Sequence, residues 1–187
     1  MKYGYFDDAN REYVITRPDT PQPWYNYIGN GVYNGLVSNT GGGPSYHRDP
    51  ATRRFLRYRY NGVPLDRPGR YVYLRDQESG DFWSATWAPV EKPLDEQSYE
   101  CRVGTNIQTI RTAYSGIATE MVYFVSPDDD VELWRFSLKN TTDKPRTLRT
   151  FSYAELACWG TMRDVTNLDN NPRCSRVEMK DDALIQS

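Results

Sequence analysis

The chain has 187 residues with 23 basic and 25 acidic side chains, which gives a net charge of −2. This length suits one domain with a sizeable core. The two signs of charge are mixed along the sequence, which argues against the basic face of a nucleic-acid-binding surface. No run approaches the roughly 20 apolar residues that cross a bilayer, and the first residues lack a basic-then-apolar leader pattern. We therefore expect a cytoplasmic protein whose partners include neither nucleic acid nor membrane.

The first predicted element is a hairpin. The segments YGYF and EYVIT flank an Asp-Asp-Ala-Asn sequence that is typical of a turn. Because Asp7 and Asp8 are adjacent, an extended backbone directs them to opposite faces, whereas a glycosidase needs two carboxylates that face each other across the bond to be broken. We predict a structural role for both, and also for Asp19, which follows a proline in a loop.

The next segment, 41–44, is Gly-Gly-Gly-Pro, and its glycines favour a tight turn. A phosphate-binding loop would need a helix behind it and usually a Lys-Ser/Thr pair, and neither follows. His47 is the only histidine in the chain, which argues against a zinc site. We predict a structural His47. A Ser-His-Asp triad stays open as the alternative, although no nucleophile-elbow pattern supports it.

Strand signals dominate the middle of the chain, and no long segment shows a helical period. Alternating apolar and polar residues are separated by Gly, Pro and Asp. The last three strong runs are predicted to form a meander, and YECRVG is predicted to pair with NIQTIRTAY around Gly104. The sequence thus predicts an all-β antiparallel sandwich with at least about ten short strands. The predicted strand runs are RRFLRYRYN, RYVYLRD, DFWSATW, YECRVG, NIQTIRTAY, IATEMVYFV, VELWRFSLK and RTLRTFSYAEL.

The cysteines and the acidic triplet suggest no bound metal. The number of cysteines is odd, and the three of them, Cys101, Cys158 and Cys174, form no C-x-x-C pair. A disulfide framework is therefore not expected. Residues 128–130, three aspartates, are predicted to form a turn between two strands. Calcium is the weaker alternative there, because the remaining ligand spacing of a calcium loop is missing. We expect neither a metal nor a cofactor.

A polar loop, GTMRDVTNLDNNPRC, follows the predicted strands. Its amides, carboxylates and guanidinium groups match sugar hydroxyls, each of which both donates and accepts hydrogen bonds, and long loops on sheets often carry binding residues. A solvated loop is an equal alternative. The 15 tyrosines and 5 tryptophans suit either packing in strands or stacking on sugar rings.

The final segment, VEMKDDALIQS, predicts a strand, an Asp-Asp turn and a return strand. A sandwich that stopped there would leave an unpaired edge, which proteins usually avoid. We therefore expect residues 1–187 to be part of a sandwich in a longer protein.

Several long segments carry a resemblance that spans essentially the whole chain: YGYFDDANREYVITRPDTPQPWYNYIGN, GLVSNTGGGPSYHRD, RYRYNGVPLDRPGRYVYLRD, DFWSATW and YECRVG. They resemble the start of the cellobiose phosphorylase family, glycoside hydrolase family ninety-four. The resemblance implies a large N-terminal β-sandwich, the super-sandwich, related to galactose-mutarotase-like domains. Linker helices, an (α/α)₆ barrel and a small C-terminal β-domain would follow it.

The same resemblance implies reversible, inverting phosphorolysis of a β-linked gluco-disaccharide to α-glucose 1-phosphate and an acceptor sugar. Inorganic phosphate is the nucleophile and co-substrate, so one protein carboxylic acid suffices as proton donor. That acid belongs to the barrel, and no catalytic residue is expected in this chain. Family members are typically homodimers. A stand-alone module for sugar binding or dimerisation, without catalytic activity, is the alternative.

The resemblance also implies substrate-binding residues in the polar loop, which in the family closes the acceptor subsite of the neighbouring subunit. Cellobiose phosphorylases carry T-N-x-x-R-N there. Thr166 and Asn167 match this motif, whereas Asn170 stands in place of the arginine and Arg173 is a candidate to replace it. Loss of a charged hydrogen bond costs roughly 1.5–3 kcal/mol, so laminaribiose or another β-glucobiose becomes an alternative to cellobiose.

Overall fold

The computed structural model describes residues 2–60, 62–157, 160–162 and 176–186. The described residues form fifteen strands, and every paired strand runs antiparallel to its neighbour. The predicted all-β antiparallel architecture is therefore confirmed. Within these ranges, no helix has the length and apolar character needed to span a membrane. The strands are β1 (Gly4–Asp7), β2 (Glu12–Ile15), β3 (Tyr25–Gly29), β4 (Tyr33–Ser38), β5 (Ser45–His47), β6 (Arg54–Leu56), β7 (Tyr71–Asp76), β8 (Phe82–Ser84), β9 (Ser98–Gly104), β10 (Ile107–Tyr114), β11 (Ile117–Val125), β12 (Glu132–Asn140), β13 (Leu148–Tyr153), β14 (Val177–Lys180) and β15 (Ala183–Gln186).

The strands form three sheets and a hairpin. One sheet has six strands in the order β1-β2-β9-β10-β11-β12, a second has the order β3-β4-β5-β6, and a third has the order β13-β7-β8. The strands β14 and β15 form the predicted hairpin, with positive φ at Asp181 and Asp182 in its turn. The hairpins β1-β2 and β9-β10 are also as predicted.

The core lies where the inner faces of the three sheets meet. Alternation on β10 buries Ile110 and Thr112 and directs Arg111 outward, as expected for a strand with one face on the core. Trp83 of β8 is completely buried in the same cluster. The cluster also includes Ile15, Ile28, Val37, Leu74, Cys101, Met121 and Tyr123.

Two acidic residues near the start of the chain, Asp7 and Glu12, lie in ion pairs on the outer face of the six-stranded sheet. Arg102 contacts both Asp7 and Glu12 at 3.0 Å. Hydrogen bonds from Asn10 and Arg102 hold the pKa of Asp7 below its usual value. Asp19 instead accepts a hydrogen bond from the Arg17 guanidinium at 2.6 Å. These contacts agree with a structural role for Asp7 and Asp19, whereas the structural role of Asp8 stays a prediction.

The predicted meander is wrong for its third strand. Strand β12 pairs with β11, but β13 pairs with β7 in a different sheet. The turn after β12 redirects the chain because Arg146 forms an ion pair with the nearly buried Asp76 at the end of β7. Gln77 then donates its backbone N–H to the Thr147 carbonyl at 2.9 Å, which starts the new ladder.

A buried ion pair joins the sheets. Arg70, which precedes β7, is fully buried and bonds both oxygens of Glu132 on β12. Its remaining N–H groups donate to the carbonyls of Leu36, Gly43 and Pro44 at 2.9–3.2 Å. The predicted glycine turn therefore presents its backbone to one guanidinium, and Gly43 has the positive φ of 113° that this turn requires.

Candidate functional site

The predicted substrate-binding residues Thr166, Asn167, Asn170 and Arg173 lie outside the described residues. The structure describes the chain immediately before them. The backbone N–H of Ala157 donates to the Phe55 carbonyl at 2.8 Å, and that of Thr161 donates to the Ala51 carbonyl at 2.7 Å. Ala157 and Thr161 therefore lie beside β6 and the loop that precedes it.

A cleft of about 540 Å³ opens beside β13, just before this segment. Its volume lies within the roughly 300–1,000 Å³ that is usual for small-molecule sites. One wall is the loop between β6 and β7, the floor is the outer face of the three-stranded sheet, and residues 89–90 close one side. In the sequence, this loop shows only the Gly, Pro and Asp residues that separate predicted strands.

Three tyrosines form the floor of the cleft. Tyr71 and Tyr73 share one face of β7 because they are two residues apart in a strand, and β13 brings Tyr153 opposite Tyr71. The rings of Tyr71 and Tyr153 are stacked with centroids 6.2 Å apart, and Tyr73 meets Tyr153 edge to face at 6.1 Å. Phe82, 55% exposed, stands at the rim.

Charged groups surround these rings. Glu155 accepts a hydrogen bond from the Tyr153 hydroxyl at 2.6 Å and forms an ion pair with Arg57 at 3.4 Å. Burial, with the neighbouring Glu155, raises the pKa of Tyr153 to about 12, so its hydroxyl stays a proton donor at neutral pH. Arg67 is held on the opposite wall by the Pro89 carbonyl at 3.0 Å and by Glu91 at 2.8 Å.

Arg59 is the remaining cation of the cleft. Its side chain is exposed and makes no hydrogen bond or ion pair within the described ranges. A free guanidinium, a fixed carboxylate and exposed aromatic faces in one cleft can bind a ligand that has both apolar faces and many hydroxyl groups.

A buried carboxylate holds the wall of the cleft in place. Asp66 accepts hydrogen bonds from Ser38, from Thr40 at 2.5 Å and from Tyr58 at 3.1 Å. Its backbone carbonyl accepts one from Tyr71 at 3.0 Å. Burial raises the pKa of Asp66 above its usual value, against the effect of these donors. The network ties the wall loop to β4, to the end of β6 and to the floor.

His47 and Cys101 lie away from this cleft, and Cys158 and Cys174 lie outside the described residues. His47 on β5 approaches the exposed Asp130 at 3.3 Å, so it contacts the predicted acidic turn. Cys101 is buried in the core, and burial raises the pKa of its thiol to about 12. In the described part of the chain, no three His, Cys, Asp or Glu side chains are grouped to hold a metal ion.

The architecture is that of a large antiparallel β-sandwich domain. The family model described as "Glycosyl hydrolase 94, supersandwich domain" matches residues 11–187. The chain therefore belongs to this family, as the resemblance in its sequence predicts.

Curated relatives cover most of the chain. An N,N'-diacetylchitobiose phosphorylase from Vibrio furnissii is 46% identical over 157 residues, which is 84% of this chain and 20% of that protein. A 3-O-beta-D-glucopyranosyl-beta-D-glucuronide phosphorylase from Paenibacillus borealis is 36% identical over 89% of this chain and 20% of that protein. A solabiose phosphorylase from the same organism is 33% identical over 86% of this chain and 21% of that protein. The chain spans about a fifth of the length of these relatives.

Proposed function

We propose that the full-length protein is an inverting disaccharide phosphorylase and that residues 1–187 form part of its N-terminal sandwich. The observation that carries this proposal is the match of residues 11–187 to the supersandwich domain. The relatives named above are all phosphorylases of sugars, which supports the same activity.

In this proposal, the chain contacts carbohydrate and the catalytic acid lies elsewhere in the protein. Phosphate attacks the anomeric carbon, the glycosidic bond breaks, and a protein acid protonates the leaving oxygen. Two buried carboxylates of the described chain support a non-catalytic role, because each is held in an ion pair with an arginine. Asp76 is paired with Arg146, and Glu132 is paired with Arg70.

The proposed substrate is a β-linked disaccharide of gluco-configured sugars. The resemblance to cellobiose phosphorylases favours cellobiose, with laminaribiose as the alternative. The relative that is 46% identical is an N,N'-diacetylchitobiose phosphorylase, and Asn170 replaces the arginine of the cellobiose motif. We therefore propose N,N'-diacetylchitobiose as the first substrate to test, before cellobiose and laminaribiose.

The test is incubation of the full-length protein with phosphate and each of the three disaccharides, followed by measurement of the sugar 1-phosphate. We expect release from N,N'-diacetylchitobiose, with slower release from cellobiose and laminaribiose. A preference for either glucobiose would correct the proposed substrate. If no sugar 1-phosphate were released from these three disaccharides or from a wider set of β-linked disaccharides, the proposed reaction would be refuted.

The polar loop is tested by Asn167→Ala in the full-length protein. If the amide contacts the acceptor sugar, its removal raises KM for the acceptor in the synthetic direction. In the phosphorolytic direction it leaves KM for phosphate unchanged. The matched control is Asn10→Ala in the exposed β1-β2 turn. Equal kinetics for Asn167→Ala and the parent would remove this loop from the site.

The proposal includes a cytoplasmic location and a homodimer in which the polar loop reaches the neighbouring subunit. Light scattering of the full-length protein tests the dimer, and a monomer with full activity would contradict it. The second candidate function is that of a stand-alone sugar-binding or dimerisation module. The sequence encoded beyond residue 187 distinguishes this module from the phosphorylase. A barrel encoded there supports the phosphorylase, and a stop codon supports the module.

A further inference from the structure

The cleft beside β13 is built from residues that are distant in sequence. Its floor comes from β7 and β13, and its wall is fixed by the buried Asp66 network. A ligand can therefore bind there without first ordering the wall, which reduces the entropic cost of binding.

The aromatic surface of the cleft is only partly used by the protein. Tyr153 is 38% exposed although one face of its ring is stacked on Tyr71, and the larger part of Phe82 is also exposed. Such rings offer flat apolar surfaces at a small cost in side-chain entropy. The C–H faces of a pyranose ring with equatorial hydroxyls are apolar and can lie on them.

The polar groups of the cleft complement the edge of such a ring. The guanidinium of Arg59 has all its donors free in the part of the chain that the structure describes. Arg67 uses NH2 for its two hydrogen bonds, which leaves NH1 as a donor. Glu155 provides acceptor oxygens. Sugar hydroxyls can use donors and acceptors together, whereas an aliphatic ligand would cover these polar groups without forming hydrogen bonds to them.

We propose that this cleft binds a pyranose unit of a β-linked gluco-oligosaccharide. The ring lies on Tyr153 and Phe82, and its hydroxyls bond to Arg59, Arg67 and Glu155. The site is separate from the polar loop residues predicted above and needs no catalytic barrel, so the inference goes beyond the proposed phosphorolysis.

Another hollow of the described surface is less suited to sugar. It has a volume of about 470 Å³ and lies on the outer face of the six-stranded sheet. Three of the four charged side chains that line it are already paired with one another, since Arg111 bonds Glu100 at 3.1 Å and Glu120 at 2.8 Å, and the fourth is Lys139. A ligand there would have to compete with those ion pairs.

The experiment is saturation-transfer NMR and calorimetric titration of the 187-residue chain with cellotetraose and with chitotetraose, both without phosphate. We expect saturable binding of at least one probe and transfer to its ring C–H protons. Phe82→Ala and Tyr153→Ala should each weaken binding about tenfold. Arg59→Ala removes an exposed, unpartnered side chain, should leave folding intact, and should weaken binding severalfold.

The control is Tyr27→Ala, which removes a 72% exposed tyrosine from β3 and should leave the affinity unchanged. Absence of saturable binding to the parent chain would overturn the proposal, as would binding that Arg59→Ala and Phe82→Ala both leave unchanged. Binding to the chain but not to the full-length protein would show that polypeptide fills the cleft, which would also overturn it. Failure of phosphorolysis in the full-length protein would not affect this result.

Discussion

Replacement of Arg70 by methionine should severely destabilise the sandwich. Arg70 is completely buried and bonds five acceptors: both oxygens of Glu132 and the carbonyls of Leu36, Gly43 and Pro44. Methionine keeps much of the volume but leaves the Glu132 carboxylate buried without its cation. Removal of one partner from a buried pair costs about 3–5 kcal/mol, a large part of the roughly 5–15 kcal/mol that stabilises a typical domain.

The assay is urea denaturation of the 187-residue chain at pH 7, followed by tryptophan fluorescence and far-UV circular dichroism. The exposed Arg149 on β13 provides a matched control, and Arg149→Met should change the free energy of unfolding by no more than about 0.5 kcal/mol. The double variant Arg70→Met/Glu132→Gln should lose less than the sum of the single variants, by about 0.5–3 kcal/mol. A loss below about 1 kcal/mol for Arg70→Met, or strict additivity, would refute this reasoning.

Two further predictions concern the cleft wall and the glycine turn. Because burial raises the pKa of Asp66 in the folded state, the stability that its protonation contributes is complete below the unfolded pKa of about 3.9 and is lost as pH rises through the folded pKa. Asp66→Asn should therefore destabilise the chain most at low pH and less as pH rises, and a difference in unfolding free energy that stays constant across pH would contradict this. An alanine Cβ at Gly43 would lie 2.1 Å from the Leu36 carbonyl oxygen, whereas the space at Gly31, also at positive φ, is open. Thermal unfolding should show a cost of about 1–2 kcal/mol for Gly31→Ala and at least about 3 kcal/mol for Gly43→Ala, and equal costs would show that the turn can move.

Local sequence predicted the hairpins β1-β2, β9-β10 and β14-β15 and most of the later strands because their signals are local, but it predicted none of the strands β3, β4 and β5. Alternation delimits β11 with the bounds that the structure shows, and the Asp-Asp turn sits between β14 and β15. The sheet to which β13 belongs could not be predicted in this way. It depends on the Arg146–Asp76 pair, whose members are 70 residues apart, and a turn composed of polar residues gives no sign of such a partner.

The two candidate sites also differ in whether the sequence could predict them. The substrate-binding role of Asn167 and Asn170 was predicted from a family resemblance, and these residues lie outside the described part of the chain. The cleft came only from the structure, because Tyr71 and Tyr153 meet through pairing of β7 with β13. The one local signal was the alternation of tyrosines in RYVYLRD, which suits a packed strand equally well.

The most direct test of the account measures sugar 1-phosphate formation in parallel for the full-length protein and for the 187-residue chain, with N,N'-diacetylchitobiose and phosphate. We expect product from the full-length protein and none from the chain alone, because the proposed function assigns sugar contact to this chain and the proton donor to another part of the protein. Product from the isolated chain would contradict that division of roles.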